Sequence, residues 1–279
     1  MNQFKLQSML RDFFKEDIGD RDLTSEALFD KDALGSGLFI AKENGIFVGE
    51  TILNEAFNLM DPGTSVTLNK KDGELIEKGE TIATVHGKMR VLLSGERVVL
   101  NLLQRLSGIA TLTRKAVDLL DSDTTKICDT RKTTPGLRML EKHAVVCGGG
   151  SNHRYGLYDG VMIKDNHIEF AGSITEAVHR ARQHIGHMVK IEVETETKEQ
   201  VIEAVNAGAD IIMFDNRTPE EIQEFIPYVP DGIVTEASGG ITLENLAGFR
   251  NTGVDYISLG FITHSARSLD ISFNVGMKK

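Results

Sequence analysis

The spacing of apolar residues divides the chain into two regions with different periodicities. Residues 3–15 carry an apolar side chain every three or four positions, which predicts an amphipathic helix. Residues 36–93 instead form short apolar runs separated by turn signals such as Asn44-Gly45 and Asp72-Gly73. This pattern predicts a small antiparallel sheet with a hairpin at Asn44-Gly45. The first part of the chain is therefore predicted to be a small α+β domain.

A long helix is predicted next, from about residue 94 to residue 120, with Ser94 as its N-cap. Its apolar stripe contains Val98, Val99, Leu102, Leu103, Leu106 and Ile109. Arg97 and Arg105 fall on a polar face of the same helix. Gly108 interrupts the stripe, and we expect it to let another backbone segment approach closely.

From about residue 126 onward, short apolar runs alternate with helical stretches, which predicts parallel strands joined by helical crossovers. Five of these runs close on Lys164, Glu194, Asp215, Ser238 and Gly260. The successive separations are 30, 21, 23 and 22 residues, and each is close to the length of one βα unit. About six clear strands are visible, so the pattern predicts an incomplete β/α barrel whose active site lies at the strand ends.

Composition and charge exclude several classes of function. The formal net charge is -10, which argues against binding to nucleic acid or to an anionic membrane. No apolar run reaches the ~20 residues that a membrane-spanning helix needs. The two cysteines, Cys128 and Cys147, provide neither a disulfide framework nor a metal cluster, and each is expected to be a small buried hydrophobe. We expect a cytoplasmic protein.

The segment from residue 128 to residue 167 is a cationic island in an acidic chain, with six Lys or Arg against four Asp or Glu. The candidates for anion binding stand beside strand ends or glycine turns, namely Thr130, Arg131, Lys132, His153, Arg154 and Lys164. Arginine can bind carboxylates or phosphates with two parallel hydrogen bonds. The alternative is a solvated surface patch, and we expect this for Arg138, Lys142 and His143.

The later strand ends supply acids and glycines. Glu194 and Asp215 could bind Mg²⁺ or ribose hydroxyls, although Glu194 could instead form a salt bridge inside the barrel and Asp215 could cap the following helix. The last two strands end near glycines, where barrels often bind phosphate: Ser238, Gly239 and Gly240 after one strand, and Leu259 and Gly260 after the next.

The segment DTRKTTPGLRMLEKHAVVCGGGSNHRYGLYDGVMIKDNH resembles the signature region of the quinolinate phosphoribosyltransferases, the decarboxylating branch of the type II phosphoribosyltransferases. The resemblance continues, in order, through EDIGDRDLTSEAL, SGERVVLNLLQRLSGIAT, IEVET, MFDN, EASGG and GVDYISLGFITHSARSLDISF. It implies an α/β fold with an open, about seven-stranded β/α barrel over residues 108–270. It also implies an N-terminal α+β domain over residues 1–107, against which the tail 271–279 could pack.

The resemblance also implies an enzyme, a pentosyltransferase that joins quinolinate to the phosphoribosyl group of phosphoribosyl pyrophosphate with loss of CO2. Arg131, His153 and Arg154 would hold the dicarboxylate, together with Arg97 from across a subunit interface of a homodimer. Lys132 and Lys164 would face the carboxylate and the diphosphate. The ribose and Mg²⁺ would be bound by Glu194 and Asp215, and the 5′-phosphate by Ser238, Gly239, Gly240, Gly260 and His264.

Other functions remain open from the residues alone. A phosphoribosyltransferase of the same fold could use another acceptor, and nicotinate phosphoribosyltransferases are related but longer chains. A non-catalytic binder of phosphorylated metabolites would need the glycines but not Lys164, Glu194 or Asp215. A barrel aldolase would use Lys164 as a Schiff-base lysine.

Overall fold

The structure is a computed structural model and describes residues 1–277, so the last two residues of the predicted tail lie outside the described residues. The chain forms two compact units. Unit one contains residues 1–112, 139–149 and 266 onward, whereas unit two contains residues 113–138 and 150–265. No helix among the described residues is long and apolar enough to cross a lipid bilayer.

Up to residue 147 the helices are α1 Gln3–Ile18, α2 Leu23–Leu28, α3 Glu50–Met60, α4 Met89–Leu120 and α5 Arg138–Cys147. The strands of unit one are β1 Leu34–Ala41, β2 Gly45–Ile46, β3 Ser65–Leu68, β4 Leu75–Ile76 and β5 Thr81–Lys88, followed at the end of the chain by β12 Ile271–Met277. An antiparallel sheet has the order β12-β1-β5-β3. Its core includes Phe39, whose ring centroid lies 6.2 Å from that of Phe57 and 4.5 Å from that of Phe273.

Two predictions for the N-terminal part are wrong. The hairpin at Asn44-Gly45 does not form, because β2 pairs with β4 and the Asn44 side chain accepts a hydrogen bond from the backbone N–H of Lys78. The sheet region also contains helix α3, which the turn signals around it obscured. Its N-terminus is stabilised from a distance, since the Asp72 carboxylate accepts hydrogen bonds from the backbone N–H groups of Gly49 and Glu50.

The long helix α4 is present, but it begins at Met89 rather than after Ser94. Ser94 lies inside the helix, and its hydroxyl donates a hydrogen bond to Asp22 at 2.8 Å, so it is not the N-cap. The prediction for Gly108 is confirmed within unit one. A Cβ atom at this position would lie 2.0 Å from the carbonyl oxygen of Arg267, so only glycine allows this backbone approach.

The prediction that Lys142 lies on an exposed face of α5 is wrong, because this residue is fully buried. The helix packs into unit one on most of its sides, and the neighbouring Glu141 is also fully buried. The Glu141 carboxylate accepts two hydrogen bonds from the guanidinium of Arg105, at 2.9 and 3.1 Å. The third nitrogen of the Arg105 guanidinium, Nη1, donates to the carbonyl oxygen of Ala266. Charged residues on this helix therefore contribute to the interior of the unit.

Unit two is built on parallel strands. They are β6 Lys126–Cys128, β7 Val161–Ile163, β8 Ile191–Thr195, β9 Ile211–Asp215, β10 Val234–Ser238 and β11 Tyr256–Ser258. The later helices are α6 Asp165–Ala171, α7 Ile174–His184, α8 Lys198–Ala207, α9 Pro219–Phe225 and α10 Phe261–His264. In the strand order β6-β11-β10-β9-β8-β7, the two edge strands β6 and β7 do not pair with each other, so the sheet is not closed into a barrel. One isolated parallel bridge joins Cys128 to Ser151.

This arrangement confirms the predicted open β/α barrel, with six strands in one sheet of the described chain where about seven were expected. The register brings the carboxyl ends of the strands to one edge of the sheet, since Ser238 lies opposite Asp215, and Glu194 lies opposite Met213, two residues before Asp215. Functional side chains at these ends are therefore presented at one edge of unit two.

Candidate active site

The carboxyl ends of the strands in unit two surround a cavity of about 620 Å³. Eleven of the predicted site residues line this cavity: Thr130, Arg131, Lys132, His153, Arg154, Lys164, Glu194, Asp215, Ser238, Gly239 and Gly240. They come from six different segments of the sequence, between residues 130 and 240. The fold therefore gathers most of the predicted candidates in one place.

A second recess of about 440 Å³ shares Thr130, Lys132 and the Ser238–Gly240 segment with the first and adds Gly260 and His264. A Cβ atom on Gly260 would lie 2.9 Å from Cδ of Lys132 and 3.3 Å from Cδ2 of His264. The absence of a side chain at Gly260 thus lets these two cationic or polar side chains pack over the same backbone.

Two predicted residues lie elsewhere. Leu259 is buried, and its backbone N–H donates to the carbonyl oxygen of Cys128, so its side chain contributes to the barrel interior. Arg97 belongs to unit one, where its side chain is 60% exposed and lies 3.7 Å from the carboxylate of Glu96.

The cationic side of the cavity contains buried donors without partners. The Nε atoms of both Arg131 and Arg154 are buried and have no hydrogen-bond partner within residues 1–277. One terminal nitrogen of Arg154 donates to the carbonyl oxygen of Gly160 at 2.8 Å, which fixes the direction of its side chain. Burial, followed by the neighbouring Arg131, lowers the pKa of Arg154. Two guanidinium groups held together with unused donors are suited to bind an anion.

Lys164, Glu194 and Asp215 form the next part of the site. The Lys164 ammonium donates to the Glu194 carboxylate. Burial raises the pKa of Glu194, and this effect outweighs the attraction of Lys164. Burial also raises the pKa of Asp215, against the opposing effect of Lys164. These residues, with Arg131, Lys132 and Arg154, are named the charged wall of the cavity.

Asp215 does not cap the following helix, which was the alternative explanation for its position. The N-cap of α9 is Thr218, whose side chain accepts a hydrogen bond from the backbone N–H of Glu221. The Asp215 carboxylate instead accepts a hydrogen bond from the Asn216 side chain at 2.8 Å and lines the cavity. Its position at the end of β9 therefore has no role as a helix cap.

Two buried acids meet His153 at the floor of the cavity. Nε2 of His153 lies 3.0 Å from the Glu192 carboxylate and 3.7 Å from that of Glu236. The other oxygen of each carboxylate is buried and has no hydrogen-bond partner in the described chain. Burial, followed by repulsion from Glu192, raises the pKa of Glu236 to about 7. The two carboxylates at the floor therefore have hydrogen-bond acceptors that no group of the described chain fills.

Hydrogen bonds assign the tautomer of His153. Its Nδ1 accepts the backbone N–H of Arg154 at 2.8 Å, so Nε2 carries the hydrogen that faces Glu192. The backbone N–H of His153 donates to the buried carboxylate of Asp129, which also accepts a hydrogen bond from the Asn152 side chain. Both ring nitrogens are thus engaged, and the ring is held at the edge of the acidic floor.

Another part of the cavity lining, which we name the glycine wall, consists of Ser238, Gly239 and Gly240. Both glycines have positive φ angles, +83° at Gly239 and +66° at Gly240. A Cβ atom on Gly239 would lie 2.2 Å from Oδ1 of Asn216. The backbone is consequently accessible on this wall, and turns of this kind can offer N–H groups to an anion.

The sequence patterns missed a second layer of cavity residues. Met162, Met213 and Glu236 line the cavity, and each lies two positions before a predicted strand-end residue. Side chains alternate along a strand, so the residue two positions earlier points to the same side. Applying this rule to Lys164, Asp215 and Ser238 would have identified all three.

Comparisons with known proteins identify the family of this chain. The C-terminal domain model of quinolinate phosphoribosyl transferase matches residues 109–274, and the N-terminal domain model matches residues 22–107. The chain is 60% identical over 275 residues to a probable nicotinate-nucleotide pyrophosphorylase (carboxylating) of Bacillus subtilis, covering 99% of this chain and 95% of that protein.

Solved structures give the same result. NadC from Streptococcus pyogenes matches with a TM-score of 0.96 and 39% identity, covering 100% of this chain and 99% of that one. The nicotinate-nucleotide pyrophosphorylase from Francisella tularensis matches with a TM-score of 0.93 and 36% identity, covering 99% and 98% of the two chains. Since two domain models and full-length relatives agree, this chain belongs to the quinolinate phosphoribosyltransferase family.

Proposed function

We propose that this protein transfers the phosphoribosyl group of phosphoribosyl pyrophosphate to quinolinate and releases nicotinate mononucleotide, pyrophosphate and CO2, a step of NAD biosynthesis. The observation that supports this most strongly is the pair of buried, unpartnered Nε donors on Arg131 and Arg154, which lie in the same cavity as Lys164 and the glycine wall. Both substrates are strongly anionic, and such a cavity can concentrate them in an acidic protein. Relatives named nicotinate-nucleotide pyrophosphorylase match this chain over its full length, one in sequence and another in fold.

Arg131 and Arg154 are the proposed ligands of the dicarboxylate. Their guanidinium groups can bind carboxylates with paired hydrogen bonds, and the Nε donor of each has no partner within the described chain. His153 would join them only by giving up its contact with Glu192 or with the backbone N–H of Arg154. The glycine wall, with Gly260 and His264 in the adjoining recess, is the proposed site of the 5′-phosphate.

The chain's own residues then align the reactants. The pyridine nitrogen attacks C1 of the ribose while pyrophosphate leaves, and positive charge develops on the sugar. Lys132 and Lys164 would stabilise the leaving diphosphate, whereas Glu194 and Asp215 place negative charge near the sugar. Alkylation makes the ring nitrogen positive. The adjacent carboxylate can then leave as CO2, because the remaining electron pair lies next to that positive nitrogen.

Mg²⁺ is the proposed cofactor. The carboxylates of Glu194 and Asp215 fit this ion because Mg²⁺ prefers oxygen ligands, and burial disfavours their charged forms until a cation is present. Bound Mg²⁺ would neutralise charge on the diphosphate. We expect EDTA to abolish turnover and added Mg²⁺ to restore it, as measured by release of pyrophosphate. Full activity in EDTA would contradict the assignment of Glu194 and Asp215.

A homodimer with shared active sites is the proposed assembly, in which Arg97 would complete the site of the second subunit. The exposure of Arg97 supports this, since a surface guanidinium is available to another chain. Arg97→Ala and Lys164→Ala should each inactivate the enzyme. Equal mixtures allowed to exchange subunits should recover about a quarter of the activity, because about half of the dimers would be mixed and each would have one intact site. Mixtures that stay inactive despite measured exchange would contradict a shared site.

The direct test of the reaction is to incubate the protein with quinolinate, phosphoribosyl pyrophosphate and Mg²⁺, and to measure CO2 and nicotinate mononucleotide. Turnover with nicotinate or another acceptor, but not with quinolinate, would favour the paralogue with a different acceptor. The Schiff-base aldolase is disfavoured because the Lys164 nitrogen is engaged by the Glu194 carboxylate, whereas that chemistry needs the nitrogen free to attack a carbonyl. The cytoplasm is the proposed compartment, since the free thiols of Cys128 and Cys147 suit reducing conditions.

A further inference from the structure

A second cluster of ligand-type side chains lies in unit one, apart from the residues assigned to catalysis. It consists of Asp72, in the turn before β4, and of His143 and Cys147 on helix α5. The three potential ligand atoms all lie within 4.8 Å of one another. His143 and Cys147 are four residues apart and therefore project from the same face of the helix. The fold thus brings together a carboxylate, an imidazole and a thiol.

The orientation of Asp72 leaves one oxygen for this cluster. Its Oδ1 accepts the backbone N–H groups of Gly49 and Glu50, at 2.7 and 2.9 Å. Its Oδ2 lies 2.8 Å from Nε2 of His143. Carboxylates that bind metals are commonly fixed by hydrogen bonds of this kind on the oxygen that does not face the metal.

The geometry excludes a catalytic triad. In a triad the acid and the nucleophile contact different nitrogens of the histidine ring. Here Cys147 Sγ lies 3.5 Å from Nε2 of His143, the same nitrogen that faces Asp72, so the ring cannot pass a proton between them.

We propose that Asp72, His143 and Cys147 bind one Zn²⁺ ion. Zinc takes oxygen, nitrogen and sulfur ligands in a tetrahedral arrangement with Zn–S distances of about 2.3 Å and Zn–N distances of about 2.0 Å. These values imply an N···S separation of about 3.5 Å between two ligands, and the separation here is 3.5 Å. The contact of Asp72 with His143 would lengthen by about half an ångström.

Binding of zinc requires that the ligand atoms of Cys147 and His143 first lose their hydrogens. The thiol proton of Cys147 would leave to solvent as the sulfur bonds to zinc, and the hydrogen on Nε2 of His143 would move to Nδ1 through solvent. The site is accessible for this exchange, because the side chains of His143 and Asp72 are 27% and 16% exposed. Three protein ligands leave a fourth position for water, and the ion would tie helix α5 to the turn at Asp72.

Cobalt is the probe for the first test. Metal-free protein, prepared with a chelator, is titrated with Co²⁺ while its absorption spectrum is recorded. We expect bands typical of tetrahedral cobalt together with a thiolate-to-cobalt charge-transfer band, and we expect Zn²⁺ to remove both. Cys147→Ser should abolish the charge-transfer band, whereas Cys128→Ser, the matched thiol control in unit two, should retain it. A wild-type protein without that band, or a Cys147→Ser protein that keeps it, would overturn the proposal.

Equilibrium dialysis with Zn²⁺ provides the second test. The wild-type chain should bind one zinc ion, and Cys147→Ser and His143→Gln should each weaken binding by at least about tenfold. Asp72 is left intact because it also stabilises helix α3. Circular dichroism establishes that the variants are folded, and phosphoribosyl transfer by Cys147→Ser should stay at the wild-type rate. Unchanged zinc affinity in both folded variants would refute this site without affecting the proposed reaction.

Discussion

The charged wall and the glycine wall of the cavity prepare for anions in opposite ways. On the charged wall, the guanidinium groups of Arg131 and Arg154 repel each other, and the buried Nε atom of each has no hydrogen-bond partner in the described chain. The glycine wall uses backbone in a left-handed conformation, with no side chain between it and the cavity. On the charged wall, a bound anion would reduce the repulsion between like charges and give the free donors a partner. On the glycine wall, an anion can reach the backbone because no side chain is in the way. Substitutions on the charged wall should therefore lower the catalytic rate, whereas substitutions on the glycine wall should disturb the backbone conformation.

The largest effect is expected on the charged wall, from Lys132→Ala. Lys132 is exposed and lines both recesses, so its loss should remove stabilisation of the diphosphate without disturbing the core. We expect kcat to fall about 100- to 1,000-fold while the unfolding midpoint is unchanged. Steady-state kinetics and thermal unfolding measure the two quantities. Lys190→Ala is the matched control, an exposed lysine of the same unit that should be neutral in both; normal turnover in Lys132→Ala would remove this residue from the diphosphate site.

The buried acids at the floor of the cavity should make the free energy of unfolding depend on pH. The pKa of Glu236 is about 7 in the folded protein against an ordinary value of 4.5, so the folded state binds more protons than the unfolded state between these values. The free energy of unfolding should therefore fall as pH rises from about 5 to 8. Glu236→Gln should remove this loss and gain roughly 2–3 kcal/mol relative to wild type over that range.

Urea unfolding at several pH values measures this difference. Glu169→Gln, which changes an exposed acid of the same unit, is the matched control and should follow the wild-type curve. If Glu236→Gln and wild type lose stability in parallel from pH 5 to pH 8, neither the burial of Glu236 nor its repulsion by Glu192 destabilises the fold.

The smallest effect is expected on the glycine wall. Gly239→Ala combines an unfavourable φ with a Cβ that would lie 2.2 Å from Oδ1 of Asn216, whereas Gly240→Ala has the unfavourable φ alone, with nothing within 4 Å. We expect Gly239→Ala to cost about 1–2 kcal/mol of unfolding free energy and to raise KM for phosphoribosyl pyrophosphate, with a smaller loss in Gly240→Ala. Equal losses in the two variants would show that contact with Asn216 is unimportant.

The parts of the site that sequence could predict are those set by local order. Lys164, Glu194, Asp215 and Ser238 were identifiable because each closes an apolar run, and parallel strands end at one edge of a sheet. The close approach at Gly108 could also be predicted locally, because this glycine interrupts the apolar stripe of its helix.

The parts that sequence could not predict depend on contacts between distant residues. Lys142 was expected to be exposed, yet helix α5 is enclosed by unit one on most sides. In the cluster of Asp72, His143 and Cys147 only the two helix residues are close in sequence, and Asp72 lies 71 positions before His143, so local spacing does not indicate the cluster as a whole. Helix α3 was missed because its N-terminus is stabilised by Asp72, 22 residues further along the chain.

Unit one is assembled from three separate stretches of chain, and this has a consequence for synthesis and for fragments. Strand β1 receives one of its two neighbours from β12, at the very end of the chain, and Arg105 bonds to both Glu141 and the carbonyl oxygen of Ala266. During translation the edge of β1 stays open until residues 271–277 have left the ribosome. A fragment cut near residue 107 should therefore be prone to edge-to-edge aggregation, whereas one in which residues 266–277 are supplied as a peptide or fused in register would have that edge covered.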